Sequence, residues 1–372
     1  MVVSRWRSLH FSDPRSAIGA DGRATAYPHR SGAYPPPEAT SPAASAYLTT
    51  GTEEALDWTD TDAAPDCDAA TAGNGDGGPE VDNPKRDHLA PGVLLPHPPV
   101  AATDLSRPSA ARVYDYFLGG SHNFRVDRQL AEQVLAVAPW VQDVTHANRR
   151  FLRRLVQYLV TEAGVTQFLD IGSGIPTVGN VHEIAQQSAP GARVVYVDVD
   201  QVAVAYSRAL LEGNDQTLVV QADLRDVGVV LAEAGKLLDF SQPVAVLMVS
   251  VLLFLADDQG SYELVQRYVE PLAAGSFLGI SHVTDEHVTG ALREQTEAVT
   301  AAYAAAGTPV VARTHEQIAA FFAGLELVEP EVVALDDWRA GADVQTSDPA
   351  IATLSLGGLA RKPGRSVRSE GA

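Results

Sequence analysis

Cysteine is almost absent: Cys67 is the single one in 372 residues. That excludes a disulfide framework, a cysteine zinc cluster and, since Cys67 falls in the polar N-terminal part, a catalytic thiol in the folded region. Bases are scarce beside acids, 27 Lys and Arg against 47 Asp and Glu, for a net charge of −20. A chain so acidic disfavours bulk nucleic acid or an anionic membrane face as partner. Long apolar runs are missing as well. The longest, Val244 to Leu255, is interrupted by Ser250 and too short to span a bilayer as a helix. No apolar stretch follows Arg5 and Arg7, so no secretory signal is visible and cytoplasmic residence is the expectation.

What is there divides unevenly. Residues 1–105 are crowded with Pro, Ala, Gly, Ser, Thr and Asp, and from Glu53 to Asp82 there are ten acids and no Lys or Arg. Such a segment cannot bury enough apolar surface to offset its ordering entropy, so it reads as a disordered acidic leader. Residues 106–363 keep a regular apolar pattern, long enough for one large α/β core, and 364–372 read as a flexible tail.

The densest chemical information lies in FLDIGSGIPTVGN, Phe168 to Asn180. Phe168, Leu169 and Ile171 supply a strand, and Gly172 and Gly174 remove side chains that would hold a ligand off the backbone. The dinucleotide fingerprint G-x-G-x-x-G fails, because Thr177 stands where its third glycine belongs. Asp170 lies two residues before the first glycine instead. A carboxylate there repels pyrophosphate and suits a ligand carrying an ammonium, which points to S-adenosylmethionine rather than NAD.

Strand-like and helix-like segments alternate from about Asp127 onward, the pattern of an α/β fold with a mostly parallel sheet. Strands are expected at Ala192–Asp200, Thr217–Asp226, Val244–Val249 and Ser276–His282. Asn180 with Glu183, and Thr314 with Gln317, form capping boxes, and Asp200 caps a further helix. An Ala-rich helix is expected over Thr289–Ala306. Leu325–Leu335 and Ile351–Lys362 have no helix between them and so read as antiparallel neighbours.

In such a sheet the ligand sits beyond the carboxyl ends of the strands, where strand order reverses. Gly172, Ser173 and Gly174 would let the backbone approach the amino-acid part and ribose, with Asp170 near the ammonium. Asp198 ends the second strand at a spacing that fits a carboxylate accepting from both ribose hydroxyls. Asp223 ends the third and is placed to accept from an adenine amino group, with Ala222 and Leu224 around the ring; Ser250 ends the fourth. An isolated Asp after a strand is as readily a helix cap or turn former. Three at the ends of three successive strands favour the ligand reading.

The pattern h-h-D-h-G-x-G resembles the first motif of class I S-adenosylmethionine-dependent methyltransferases. RVYDYFLGGSHNFRVDR, Arg112 to Arg128, and IPTVGNVHE, Ile175 to Glu183, resemble an actinobacterial group within that superfamily. The resemblance spans about Ser106 to Pro363. It implies a Rossmann-like sheet of seven mostly parallel strands ending in an antiparallel hairpin, with helices on both faces, S-adenosylmethionine as cofactor, and methyl transfer. It does not imply the acceptor, for which a small molecule is expected. Methyltransferases acting on amino groups of bases often carry Asp or Asn where this chain has Ser250.

Tyr114, Tyr116, Asn123 and Phe124 around Gly119 and Gly120 suit a lid over the cofactor; the plain alternative is a turn whose aromatics pack on the sheet. Methyl transfer needs a base only when the acceptor must lose a proton, and Tyr114, His122, His146 and His282 are the candidates. No metal is implied. Arg149, Arg150, Arg153 and Arg154 share a helix face and read as its solvated side, with docking of an acidic substrate, of RNA or of the chain's own acidic leader as the sharper alternative. Two other functions stay open: a non-catalytic S-adenosylmethionine-binding module, which would bind without turnover, and an NAD-dependent oxidoreductase, which would bind nicotinamide and tolerate loss of Asp170.

Overall fold

A computed structural model describes residues 105–176, 179–341 and 348–364. The expected disordered leader and the tail beyond residue 364 lie outside the described residues. Three helices come first: α1 (Ala110–Phe117), α2 (Arg125–Val137) and α3 (Val141–Thr161). Alternation follows, with β1 (Gln167–Ile171), α4 (Val181–Ser188), β2 (Arg193–Asp198), α5 (Gln201–Leu210), β3 (Thr217–Gln221), α6 (Val227–Ala234) and β4 (Ala245–Val249). Two 3-10 turns lead to α7 (Ser261–Val269), β5 (Phe277–Val283), α8 (Gly290–Ala305) and α9 (His315–Ala320). The last elements are β6 (Glu326–Leu327), β7 (Val333–Ala334), α10 (Pro349–Ala352) and β8 (Ser355–Arg361).

The sheet runs β3-β2-β1-β4-β5-β8-β6, with β7 also on β8. The first five are parallel and the β8 pairings antiparallel. From β1 the chain winds outward to β3, returns to β4 and winds the other way. The reversal therefore lies between β1 and β4, where the carboxyl ends open a crevice. Every residue of β1 is buried, as a central parallel strand covered on both faces requires.

The strand period of two feeds two cores. Leu169, Val195, Val246 and Leu278 face α6, α7 and α9. Phe168, Val194, Ala245 and Phe277 face α3 and α4. Glycines let α3 lie close: a Cβ on Gly279 would come within 2.8 Å of Leu155, and one on Gly357 within 2.7 Å of Phe151. A third core joins Val113 and Phe117 of α1, Leu130 and Val134 of α2, and Val299 and Tyr303 of α8. These three helices form a cap with its own small core.

Local signals in the sequence hold in the fold. Both capping boxes close, and Asp200 accepts from the amides of Val202 and Ala203. Three expectations need correction. The strand expected over Leu325–Leu335 is divided into β6 and β7, because Pro330, after a cis bond, offers no ladder N–H and Glu331 turns to φ 67°. The strand expected from Ile351 starts only at Ser355, since Asp348 caps the short α10. The arginine stripe is not a solvated face, Arg153 alone being exposed. Arg154 is buried and donates to the carbonyls of Trp338 and Leu335, Arg150 pairs with Asp336 at 2.8 Å, and Arg149 donates to the Gly179 carbonyl.

Candidate functional site

A cavity of about 1110 Å³ opens at the carboxyl ends of the parallel strands. Its walls come from β2, β1, β4 and β5 in succession, from the loop after β3, and from α1, α3 and α8. Asp170, Gly172, Ser173, Gly174, Asp198, Ala222, Asp223, Leu224 and Ser250 all line it, so the residues chosen at four separate strand ends meet in one place.

The glycine loop turns because Gly172 and Gly174 take φ of 72° and 66°. At Gly172 a Cβ would collide with Val251 at 2.3 Å, whereas one at Gly174 would meet nothing within 4 Å. The amides of Gly172 and Ser173 donate to the Val197 carbonyl, tying the loop to β2. The Gly174 amide donates to Asp198 Oδ2 at 2.7 Å, and the Asp200 amide to Oδ1 at 2.8 Å. Burial raises the Asp198 pKa against these hydrogen bonds.

Asp170 is buried at the bottom of the cavity. Its pKa is pushed up to about 7, first by burial and then by Asp198, with the Arg149 guanidinium opposing. No hydrogen bond from a described residue relieves it. Asp223 is held by its neighbour: both oxygens accept from the Arg225 guanidinium and Oδ1 also from its amide. That pairing lowers its pKa.

Of the four candidate bases, Tyr114 is the one that lines the cavity. Its hydroxyl donates to the Thr145 carbonyl and accepts from Asn148 Nδ2, while Asn148 Oδ1 accepts from Ser281 Oγ at 2.6 Å and Ser281 Oγ accepts from the Ser250 amide. This chain ties α1, α3 and β5 to the end of β4, where Ser250 takes φ 55°. Burial raises the Tyr114 pKa, so at neutral pH it stays protonated. His146 is exposed on α3, away from the cavity. His282 is sealed in the interior, its Nδ1–H donating to the Val283 carbonyl and its Nε2 accepting from the buried Arg313. Burial and the Arg313 charge pull its pKa down to about 4. His122 packs edge-on against Tyr206 at 4.4 Å and does not line the cavity.

Of the expected lid residues Tyr114 lines the cavity, with Phe117 and Leu118 of the same motif, whereas Tyr116, Asn123 and Phe124 do not. Tyr114 and Tyr116 stand on α1; Tyr116 reaches Glu132 on α2, and Asn123 is buried against Asp115 and the Gly120 carbonyl. Phe124 lies under the Arg112 guanidinium, 5.5 Å from ring centroid to charge. The motif also fastens the cap. Arg112 bridges Asp127 of α2 at 2.8 Å and Asp200 at the head of α5 at 2.9 Å.

The far wall, formed by Trp140, Asn148, Phe254 and the inner stripe of α8 beside the already noted Arg149, was not expected from the sequence. Thr296, Val299, Thr300 and Tyr303 recur at i, i+3, i+4 and i+7, a signal present in the sequence but diluted by surrounding alanines. Among the described residues no cluster of three His, Cys, Asp or Glu could hold a metal ion, and no helix is long and apolar enough to cross a membrane.

Comparison with known proteins agrees with this geometry. Residues 96–363 match the S-adenosyl methyltransferase family. A DUF574-family protein from Streptomyces avermitilis is 37% identical, with a TM-score of 0.67, over 70% of this chain and 99% of that one. A Thermobifida fusca protein described as a methyltransferase is 38% identical, with a TM-score of 0.65, over 70% of this chain and 97% of that one. No curated protein matches the chain. With a family match over most of its length, a glycine loop at the switch point and carboxylates at the neighbouring strand ends, the chain belongs to the S-adenosyl methyltransferase family and is an S-adenosylmethionine-dependent methyltransferase.

Proposed function

We propose that the protein transfers the methyl group to a small-molecule acceptor bound beside the cofactor in the same cavity. The observation that carries this reading is the cavity's size. Single small-molecule sites run to about 300–1,000 Å³, and this one, at about 1110 Å³, extends past the glycine loop to the underside of α8.

The glycine-loop end suits S-adenosylmethionine. Asp170 offers a buried carboxylate with no hydrogen-bond partner among the described residues, which an ammonium would satisfy. Asp198 keeps lone pairs for ribose hydroxyls beyond the two backbone amides it already accepts. Asp223, Ala222 and Leu224 are assigned to the adenine, with Asp223 sharing its charge with Arg225. Ser250 stands between this end and the acceptor. When bound, the cofactor supplies an electrophilic methyl group. The chain's own part is to hold the acceptor in line and keep water out.

No histidine lines the cavity among the described residues, and Tyr114 holds its proton. An acceptor that must lose a proton would therefore rely on a lining carboxylate such as Asp285 or Glu297, and one already carrying a free lone pair needs none. Tyr114 is then a positioning residue, acting through Asn148 and Ser281 on the Ser250 turn. Incubating the full chain with S-adenosylmethionine and fractionated small-molecule extract, and measuring S-adenosylhomocysteine, tests the reading. Release that depends on a small-molecule fraction supports it; release seen only with a macromolecular fraction refutes it.

A further inference from the structure

Trp140 and most polar side chains that α8 turns to the cavity already donate within the protein. Trp140 Nε1 donates to Gln295 Oε1 at 2.8 Å. Thr296 and Thr300 donate back to carbonyls of their own helix, at 2.8 and 3.0 Å. Arg293 donates from Nε and Nη2 to the carbonyls of Val288 and Asp285, and its Nη1 lies 3.8 Å from the Asp285 carboxylate. The Tyr303 hydroxyl is different. It lines the cavity, is held protonated by burial, and has no hydrogen-bond partner among the described residues. Its ring lies 6.5 Å from that of Phe254, at 45°. Around these two rings the wall is apolar, with Val299, Val310 and Leu253. Carboxylates lining the whole cavity outnumber arginines by six to three.

We infer that the acceptor is an uncharged, ring-bearing apolar molecule with one polar substituent, received against the wall that Phe254 and Tyr303 form together and oriented by the Tyr303 hydroxyl. Three observations converge on this class. Apolar walls bearing aromatic faces suit a planar ring. Against the apolar patch of Leu253, Val299 and Val310, phosphate, carboxylate or polyol oxygens would be left unpaired on burial, which is costly. The excess of carboxylates repels anions. The Tyr303 hydroxyl, set among these apolar side chains, then fixes orientation through the ligand's one polar group. The inference rests on the small-molecule reading above and narrows it.

The test is calorimetric binding to the full chain saturated with S-adenosylhomocysteine, using 2-naphthol, indole, 2-naphthyl phosphate and myo-inositol as probes. At least one of the two uncharged ring probes should bind saturably, and the phosphate and the polyol at least about tenfold more weakly, the cost of unpaired polar groups. Tyr303→Phe keeps the ring and should weaken that binding about three- to tenfold, one hydrogen bond's worth, with S-adenosylhomocysteine affinity unchanged. Thr300→Trp, filling the chamber from α8, should abolish probe binding with the same cofactor affinity. Tighter binding of the phosphate or polyol overturns the class while leaving the small-molecule reading intact. Failure of both ring probes to bind, or an unchanged affinity in Tyr303→Phe, also overturns it. The small-molecule reading falls separately, if only macromolecules are methylated.

Discussion

The Gly174 amide and the Asp198 carboxylate meet at 2.7 Å across 24 residues of sequence, joining the glycine loop after β1 to the end of β2. One carboxylate thus braces the loop and faces the cavity. Asp198→Ala should lower affinity for S-adenosylmethionine by about 10- to 100-fold, the effect expected from losing one or more hydrogen bonds to a charged acceptor. Titration calorimetry reads the affinity, and circular dichroism checks that the fold persists. Unchanged affinity would remove the ribose assignment.

Two buried groups set opposing pH dependences. Asp170 has its pKa raised from 3.8 to about 7, so between these values the folded state holds more protons than the unfolded one, and this group's contribution to stability is lost as pH rises. His282 is lowered from 6.5 to about 4, so its contribution is present above pH 6.5 and is lost as pH falls toward 4. The two slopes nearly cancel between pH 4 and 6.5. Asp170→Asn should unmask the His282 slope and make the protein more stable than wild type at pH 8 by roughly 4 kcal/mol, from a shift of about three pKa units. Denaturant unfolding of both proteins at pH 5 and 8 measures this; identical pH profiles would contradict it.

Arg154 and Arg153 are adjacent in sequence and opposite in consequence. Arg154→Met strips the Leu335 and Trp338 carbonyls of their donor and leaves Asp336 with less compensating charge. A loss of about 3–5 kcal/mol is expected, as for a broken buried ionic network. Arg153→Ala, at an exposed position, should stay within about 0.5 kcal/mol of wild type. Thermal melts of the two variants check the contrast.

Asn148 sits between the Tyr114 hydroxyl and Ser281 Oγ, and is buried. Asn148→Leu leaves both hydroxyls without their partner and should cost about 1–3 kcal/mol. Adding Tyr114→Phe should cost less in that background than in the wild type, because their shared bond is already gone. A double-mutant cycle with purely additive effects would dissolve the proposed linkage of α1 to the β4 end.

Much of this was legible in the sequence where the signal is local. Asn180–Glu183, Thr314–Gln317 and Asp200 form their caps because capping depends on a few adjacent residues. Asp170, Asp198 and Asp223 converge because parallel strands end at one edge. What failed depended on distant partners. Arg150 and Arg154 are surface-like residues by type, drawn inward by Asp336 and two carbonyls more than 180 residues away. His282 reads as a candidate base until Arg313 is placed against it. The Tyr114–Phe124 motif reads as a flap because its glycines suggest freedom, whereas Gly120 is needed for space: a Cβ there would lie 2.1 Å from Asp115 Oδ1. The α8 stripe escaped notice because alanines blunt its contrast with the rest of the helix.

Whether the glycine-loop end of the cavity takes S-adenosylmethionine through Asp170 and Asp198 can be read directly by calorimetry. The full chain is titrated in one buffer with S-adenosylmethionine, S-adenosylhomocysteine and NAD, with Asp198→Ala alongside. The two sulfur ligands should bind saturably, markedly more weakly to the variant, and NAD should not bind. Binding of NAD alone, or no binding of any of the three by a folded protein, would contradict this cofactor assignment.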